Sequence, residues 1–130
     1  MNYKSPTYNA FRETFSLEER KTKYQNYKLK YPSKVPMIIQ RKHKCYQIFL
    51  DRPEVLLEEE STGAVLMQKL QEQLKEKSLN SHSFYIFCTT DENKYVTFPL
   101  EEKLKYIAEK YKDKEDEFLY LRYDYQDTFG

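Results

Sequence analysis

Phe118 to Tyr123 reads FLYLRY, apolar or aromatic at every position but Arg122, with the charged run Lys112–Glu117 before it and the polar segment Asp124–Gly130 after it. A short run of this composition, bounded by charge, is a strand. It is the last strand of the chain, with residues 124–130 expected to leave it as a tail. The elements before it decide what kind of sheet it closes.

Working backwards, Leu100, Leu104, Ile107 and Tyr111 recur at helical spacing and predict a helix entered through Pro99. Phe84–Cys88 (FYIFC) and Tyr95–Phe98 (YVTF) predict two strands joined by a polar turn. Val65, Leu66, Leu70 and Leu74 give a helix one apolar face. Ser61 and Thr62 stand at its start, and the preceding Glu58-Glu59-Glu60 is expected to favour its positive end. Further back, Val35–Arg41 (VPMIIQR) is a strand, and extended chain runs through Cys45–Leu50 and Glu54–Leu57. Pro53 cannot donate to a ladder, so that second strand is expected at an edge or broken there.

Two helices precede all of this. Ser16-Leu17-Glu18-Glu19 has the form of a capping box, and Leu17, Tyr24, Tyr27 and Tyr31 continue near helical spacing until Pro32 stops it. The tyrosines are expected to face the core, and Lys21, Lys23, Lys28 and Lys30 the solvent. Ser5-Pro6, followed by Tyr8, Phe11 and Phe15, predicts a shorter first helix capped by Ser5. Strand, strand, helix, strands, short helix, strand is the order of a β-grasp. The expected fold is α+β, a ubiquitin-like β-grasp with two additional N-terminal helices. Residues 1–31 form the helical extension, 32–123 the β-grasp and 124–130 a flexible tail, one domain in all.

Composition supports this reading. A chain of 130 residues with 16% aromatic content has enough apolar mass for one core without disulfides or metal. Cys45 and Cys88 lie in separate apolar stretches, which fits a reduced compartment. No run approaches the ~20 apolar residues of a membrane span, so any membrane attachment is expected to be peripheral or covalent. The net charge of +1 hides an asymmetry: residues 1–52 carry 12 Lys/Arg against 4 Asp/Glu, or +8, and residues 53–130 carry 10 against 17, or −7. The two halves attract, and a basic face of this kind also suits acidic partners or anionic lipid.

Catalytic patterns are missing. His43 and His82 stand far apart without metal-ligand spacing to either cysteine, two glycines cannot build a phosphate loop, and Asp113–Glu117 reads as a helix end and solvated loop. The chain is therefore expected to be no enzyme and to need no cofactor or metal. Nucleic acid is disfavoured as a partner because the tyrosines of the second helix oppose its lysines.

Lys30–Ile39 (KYPSKVPMII), Lys112-Asp113-Lys114, Phe118–Tyr123 and the terminal Thr128-Phe129-Gly130 together resemble the autophagy-related protein eight family, which includes the GABA-receptor-associated protein and microtubule-associated protein light chain three. The likeness spans residues 5–130, with a divergent middle. It implies a ubiquitin-like modifier in the cytoplasm and on the autophagosome membrane. Gly130 would be joined to phosphatidylethanolamine by activating and conjugating enzymes and released by deconjugating ones, with Phe129 as their apolar handle. An unbranched glycine on a free tail is sterically open to such transfer.

The resemblance also implies recognition of aromatic-x-x-aliphatic peptides, carried by receptors and adaptors, through strand addition at Arg52–Leu57. An aromatic pocket would draw on Lys23, Tyr27, Pro36, Ile38, Glu54, Leu56 and Phe118, and an aliphatic pocket on Val55, Leu57, Leu66 and Leu70. This chain departs from the family's basic edge, and Glu54 and Glu58–Glu60 are expected to disfavour acidic residues flanking a bound motif. Two alternatives stay open: the same conjugation at another organelle membrane, and an unconjugated peptide-binding adaptor.

Overall fold

The computed structural model describes residues 10–41, 53–75, 83–89 and 94–126. Its elements are α1 (Ala10–Thr14), α2 (Leu17–Lys30), β1 (Lys34–Arg41), β2 (Glu54–Glu58), α3 (Gly63–Lys75), β3 (Ser83–Thr89), β4 (Tyr95–Thr97), α4 (Leu104–Tyr111) and β5 (Leu119–Gln126). The five strands form one sheet in the order β2-β1-β5-β3-β4, with β1 and β5 parallel and the other pairs antiparallel. The parallel central pair, reached after a crossover through α3, makes this the β-grasp arrangement. The extended chain expected at Cys45–Leu50 and the cap expected at Ser5 lie outside the described residues.

Both faces of the central strands are covered, which is why VPMIIQR and FLYLRY run apolar instead of alternating. Val35, Met37 and Ile39 of β1 and Leu119, Leu121 and Tyr123 of β5 point to one side, where Leu66 and Leu70 of α3 and Leu104 and Ile107 of α4 complete the main core. Ile38 and Tyr120 point to the other, where a second, smaller core gathers Phe11, Phe118, Phe15, Tyr24 and Tyr27. Phe11 and Tyr24 both meet the Phe118 ring edge-on at centroid separations of 5.4 Å. These contacts clamp α1 and α2 to the sheet.

The capping box forms as the sequence requires. The Ser16 hydroxyl accepts from Glu19 N–H, and Ser16 N–H donates to the Glu19 carboxylate. Two sequence expectations change. Leu100 lies outside α4, which begins at Leu104, because residues 99–103 serve another helix: Ala64 and Gly63 at the start of α3 donate to the carbonyls of Leu100 and Glu102. In return Leu104 and Lys105 donate to Ser61 and Glu59. The two helix N-termini thus satisfy each other's orphan N–H groups through backbone carbonyls. Of the glutamates before α3, Glu60 pairs with Lys103 and Lys105, each at 2.7 Å. Finally, β5 continues through Gln126, since β3 supplies partners for Asp124, Tyr125 and Gln126. The first three residues of the segment expected to be tail are therefore strand.

Candidate functional site

β2 is an edge strand, as Pro53 foretold. Ile39 N–H donates to the Pro53 carbonyl at 2.7 Å, and Glu59 N–H donates to Ser33 at 2.8 Å. With Val35 opposite Leu57 and Met37 opposite Val55, these bonds place the odd-numbered residues of β2 on the ladder with β1. Glu54, Leu56 and Glu58 therefore turn their backbone N–H and C=O groups away from the sheet. Such an edge is a template for another extended chain.

The side chains along this edge divide by strand alternation. Val55 and Leu57 pack against the main core beside Leu66 and Leu70, so the set predicted for an aliphatic pocket is gathered on the α3 face. Glu54 and Leu56 face the other way, toward α2. There Tyr27, Ile38 and Phe118 belong to the second core, and Pro36 is buried opposite Leu56 in the register. Lys23 and Tyr27 reach Glu54 from α2: the Tyr27 hydroxyl donates to Glu54 Oε1 at 2.8 Å, and Lys23 Nζ lies 3.6 Å from the same oxygen. The Lys23 ammonium also sits 4.3 Å from the centre of the Phe15 ring. Lys23 is thus turned onto the fold rather than into solvent, and so is Lys28, whose ammonium donates to the carbonyls of Pro32 and Lys34.

The predicted residues are brought together on the two sides of one strand, but their floors are shut. Ile38, Phe118 and Leu66 are wholly buried. Glu54 with its two partners lies on the α2 side of the strand, and Val55 and Leu57 lie on the α3 side. A separate cleft of about 190 Å³ lies where α2, the start of β1 and α4 converge, lined by Tyr24, Lys28, Val35, Lys105 and Ala108 among others; it shares only Pro36 with the aromatic set.

Asp116 belongs to the site and was read instead as part of a solvated loop. It is 1% exposed. Its carboxylate accepts from Phe118 N–H at 3.0 Å, from the Tyr120 hydroxyl at 2.5 Å and from Arg20 at 3.1 Å. Burial pushes this carboxyl above its ordinary range, against the pull of the Tyr120 and Phe118 bonds. Arg12 pairs with Asp113 and lies over the Tyr120 ring. Glu117 between Asp116 and Phe118 takes a left-handed conformation with φ of 71°, so the loop turns sharply and delivers Phe118 to the second core. The sequence signal was available: Asp116 stands two residues before the strand's first ring, the spacing of an Asx turn.

Gly130 and Phe129 lie outside the described residues, as do Cys45, His43 and His82. Among the described residues no group of acidic, histidine or cysteine side chains could hold a metal ion.

A five-stranded mixed sheet with a parallel central pair, α3 and α4 on one face and two N-terminal helices on the other, defines a ubiquitin-like protein with a helical extension. Comparison with known proteins gives the family. The model of the Atg8 ubiquitin-like autophagy proteins matches residues 19–130. Autophagy-related protein 8 of Schizosaccharomyces pombe is 30% identical over 122 residues, covering 94% of this chain and 94% of its own. Autophagy-related protein 8d of Arabidopsis thaliana is 28% identical over 125 residues, covering 94% and 95%. The crystal structure of Trypanosoma brucei ATG8 matches with a TM-score of 0.75 at 22% identity, over 95% of this chain and 99% of that one. Plasmodium falciparum Atg8, solved with an Atg3 peptide of the same organism, matches with a TM-score of 0.73 at 17% identity, over 90% and 96%. The chain belongs to the Atg8 family of ubiquitin-like autophagy proteins.

Proposed function

We propose that this chain is a modifier and not a catalyst, joined through Gly130 to phosphatidylethanolamine, which recruits receptors and cargo to forming autophagosomes by pairing aromatic-x-x-aliphatic peptides with β2. The observation that carries the peptide half is the open edge at Glu54 and Leu56, with one apolar side-chain set on each side of it; the Glu58 carbonyl beyond them is taken by Ser61 N–H. A peptide strand added there alternates its side chains, so two anchors of like parity cannot serve both faces. An aromatic and an aliphatic residue three apart can, since their parities differ. Family membership supports the conjugation half, and the Atg3 peptide bound by the Plasmodium relative points to conjugating enzymes as partners. No described helix is long and apolar enough to cross a membrane; the proposed lipid supplies the attachment.

Two measurements test this. Incubated with ATP, activating and conjugating enzymes from a matched source and phosphatidylethanolamine liposomes, the parent chain should yield a membrane-bound product, and Gly130→Ala should yield little or none. Absence of product from the parent chain would overturn conjugation. Separately, an aromatic-x-x-aliphatic peptide should bind the parent chain and lose roughly tenfold or more in affinity with Leu56→Asp, which places a charge on the α2 face proposed to take the aromatic anchor. Equal binding by the two chains would remove the groove.

A further inference from the structure

Among the described residues Leu29 is the most exposed of the large apolar side chains, with 82% of its surface in contact with solvent. A single exposed leucine carries no message alone; its surroundings do. Lys30 follows it at the end of α2, Tyr31 caps the helix, and Lys34 opens β1. The ammonium groups of Lys30 and Lys34 both approach the Tyr31 ring, at 5.4 and 4.9 Å from its centre. Among the described residues neither has a salt-bridge partner, whereas Lys21, Lys23, Lys103, Lys105 and Lys112 all do. The turn beneath them is fixed: Tyr31 N–H donates to Tyr27, Lys34 N–H donates to Tyr31, and Lys28 ties down two further carbonyls. The helix dipole accounts for a lysine at the end of α2, but not for Leu29 or for Lys34 on the following strand.

We propose that the Leu29, Lys30, Tyr31 and Lys34 turn is a contact site for an anionic lipid surface. Its composition is that of an interfacial anchor: one aliphatic side chain to enter the acyl boundary, a tyrosine at headgroup depth and two lysines for the phosphates. The cleft described above borders this turn at Lys28 but is not lined by Leu29, Lys30, Tyr31 or Lys34. A protruding leucine suits a surface that moulds around it better than a rigid partner.

The topology adds a direction. β1 starts at this turn and runs parallel to β5, with Arg41 opposite Tyr123. Gln126 therefore lies about ten strand steps, or roughly 33 Å, toward the opposite pole, while the four residues to Gly130 span at most about 14 Å. On the reading that Gly130 is lipid-linked, the turn meets a second membrane rather than the one holding the tail. Each contact is weak, and many copies on one surface would make it firm.

Flotation of the unconjugated full chain with phosphatidylcholine vesicles, with and without 30% phosphatidylserine, tests the site independently of conjugation. Binding should require phosphatidylserine and weaken at high salt. It should fall about fivefold for each of Lys30→Gln and Lys34→Gln and about tenfold for Leu29→Gln, while Lys69→Gln on α3 leaves it unchanged. Failure of the parent chain to float, or equal losses with Lys69→Gln, overturns the proposal. So does a finding that these variants lose a polyglutamate peptide but keep the vesicles, which would assign the turn to an acidic protein. Loss of lipidation at Gly130 with flotation intact would sink the conjugation reading and leave this site standing.

Discussion

Single residues carry more of this fold than their types suggest. Gly63 opens α3 so close to the chain before α4 that a Cβ built on it would lie 2.3 Å from the Pro99 carbonyl oxygen and 2.9 Å from the Phe98 ring. The oxygen belongs to backbone and cannot swing away, so Gly63→Ala should cost roughly 3 kcal/mol, read as a lowered urea midpoint with an unchanged slope. Asp116 is the converse, a charge whose removal strands its partners. Asp116→Ala leaves the buried Tyr120 hydroxyl and the largely buried Arg20 without their acceptor. The expected loss is roughly 3–5 kcal/mol, with faster proteolysis within α1 and α2; a loss below about 1 kcal/mol would show the network to be dispensable. Cys88 is buried in the main core, and desolvation pushes its thiol up to about 12. In a Cys45→Ser background it should resist thiol reagents at pH 8 and react only at the rate of unfolding.

At the scale of elements, the junction of α3 and α4 shows where sequence reading succeeds and where it stops. Helix α2 was legible because its cap is built from its own neighbours, Ser16 and Glu19. The α3 and α4 starts were not, because each is capped by carbonyls from the other, and no local spacing records that. Leu100 falls at helical distance from Leu104 by coincidence. Ile38, Leu56 and Phe118, proposed here to meet a peptide, look individually like core; the sequence places them near one another only through resemblance, and the complete burial of Ile38 and Phe118 was beyond it. Asp124–Gln126 read as tail because polar residues carry no strand signal unless a partner strand is known. The junction also makes a pH prediction. Hydrogen bonds from Lys103 and Lys105 hold the Glu60 carboxyl at about 2 instead of its ordinary value near 4.5. Its contribution is therefore complete above pH 4.5 and lost as the pH falls from there toward 2. Amide exchange at Leu104 and Lys105 should accelerate over that window, and Glu60→Gln should abolish the pH dependence. Because Glu60 is solvent-exposed, added salt should blunt the effect.

The whole molecule is two cores on opposite faces of one pair of strands. The charge asymmetry of the sequence finds a use here: Arg12 and Arg20 of the basic half pair with Asp113 and Asp116 of the acidic half, and Lys23 pairs with Glu54. These bonds fasten the N-terminal helices over the sheet, and the rings beneath them supply the apolar part of the attachment. Among the described side chains none of α1 or α2 enters the main core, and none of α3 or α4 enters the second. The two cores should therefore be separable in function even though both stabilise the same sheet. Phe11→Ala removes the ring that backs Phe118, while Ile86→Ala removes a side chain on β3, at the far side of β5 and β1 from the edge strand. Each should lower stability by roughly 3 kcal/mol. On the proposed reading, in which Phe118 lies under the aromatic anchor, only Phe11→Ala should also weaken binding of an aromatic-x-x-aliphatic peptide, because Phe118 loses its support when α1 no longer packs on it. Titration of that peptide against both variants, at a temperature where both remain folded, decides the matter. Equal loss of affinity would mean that the peptide site responds to global stability, and the helical extension would then be a stabilising cover rather than one wall of the binding site.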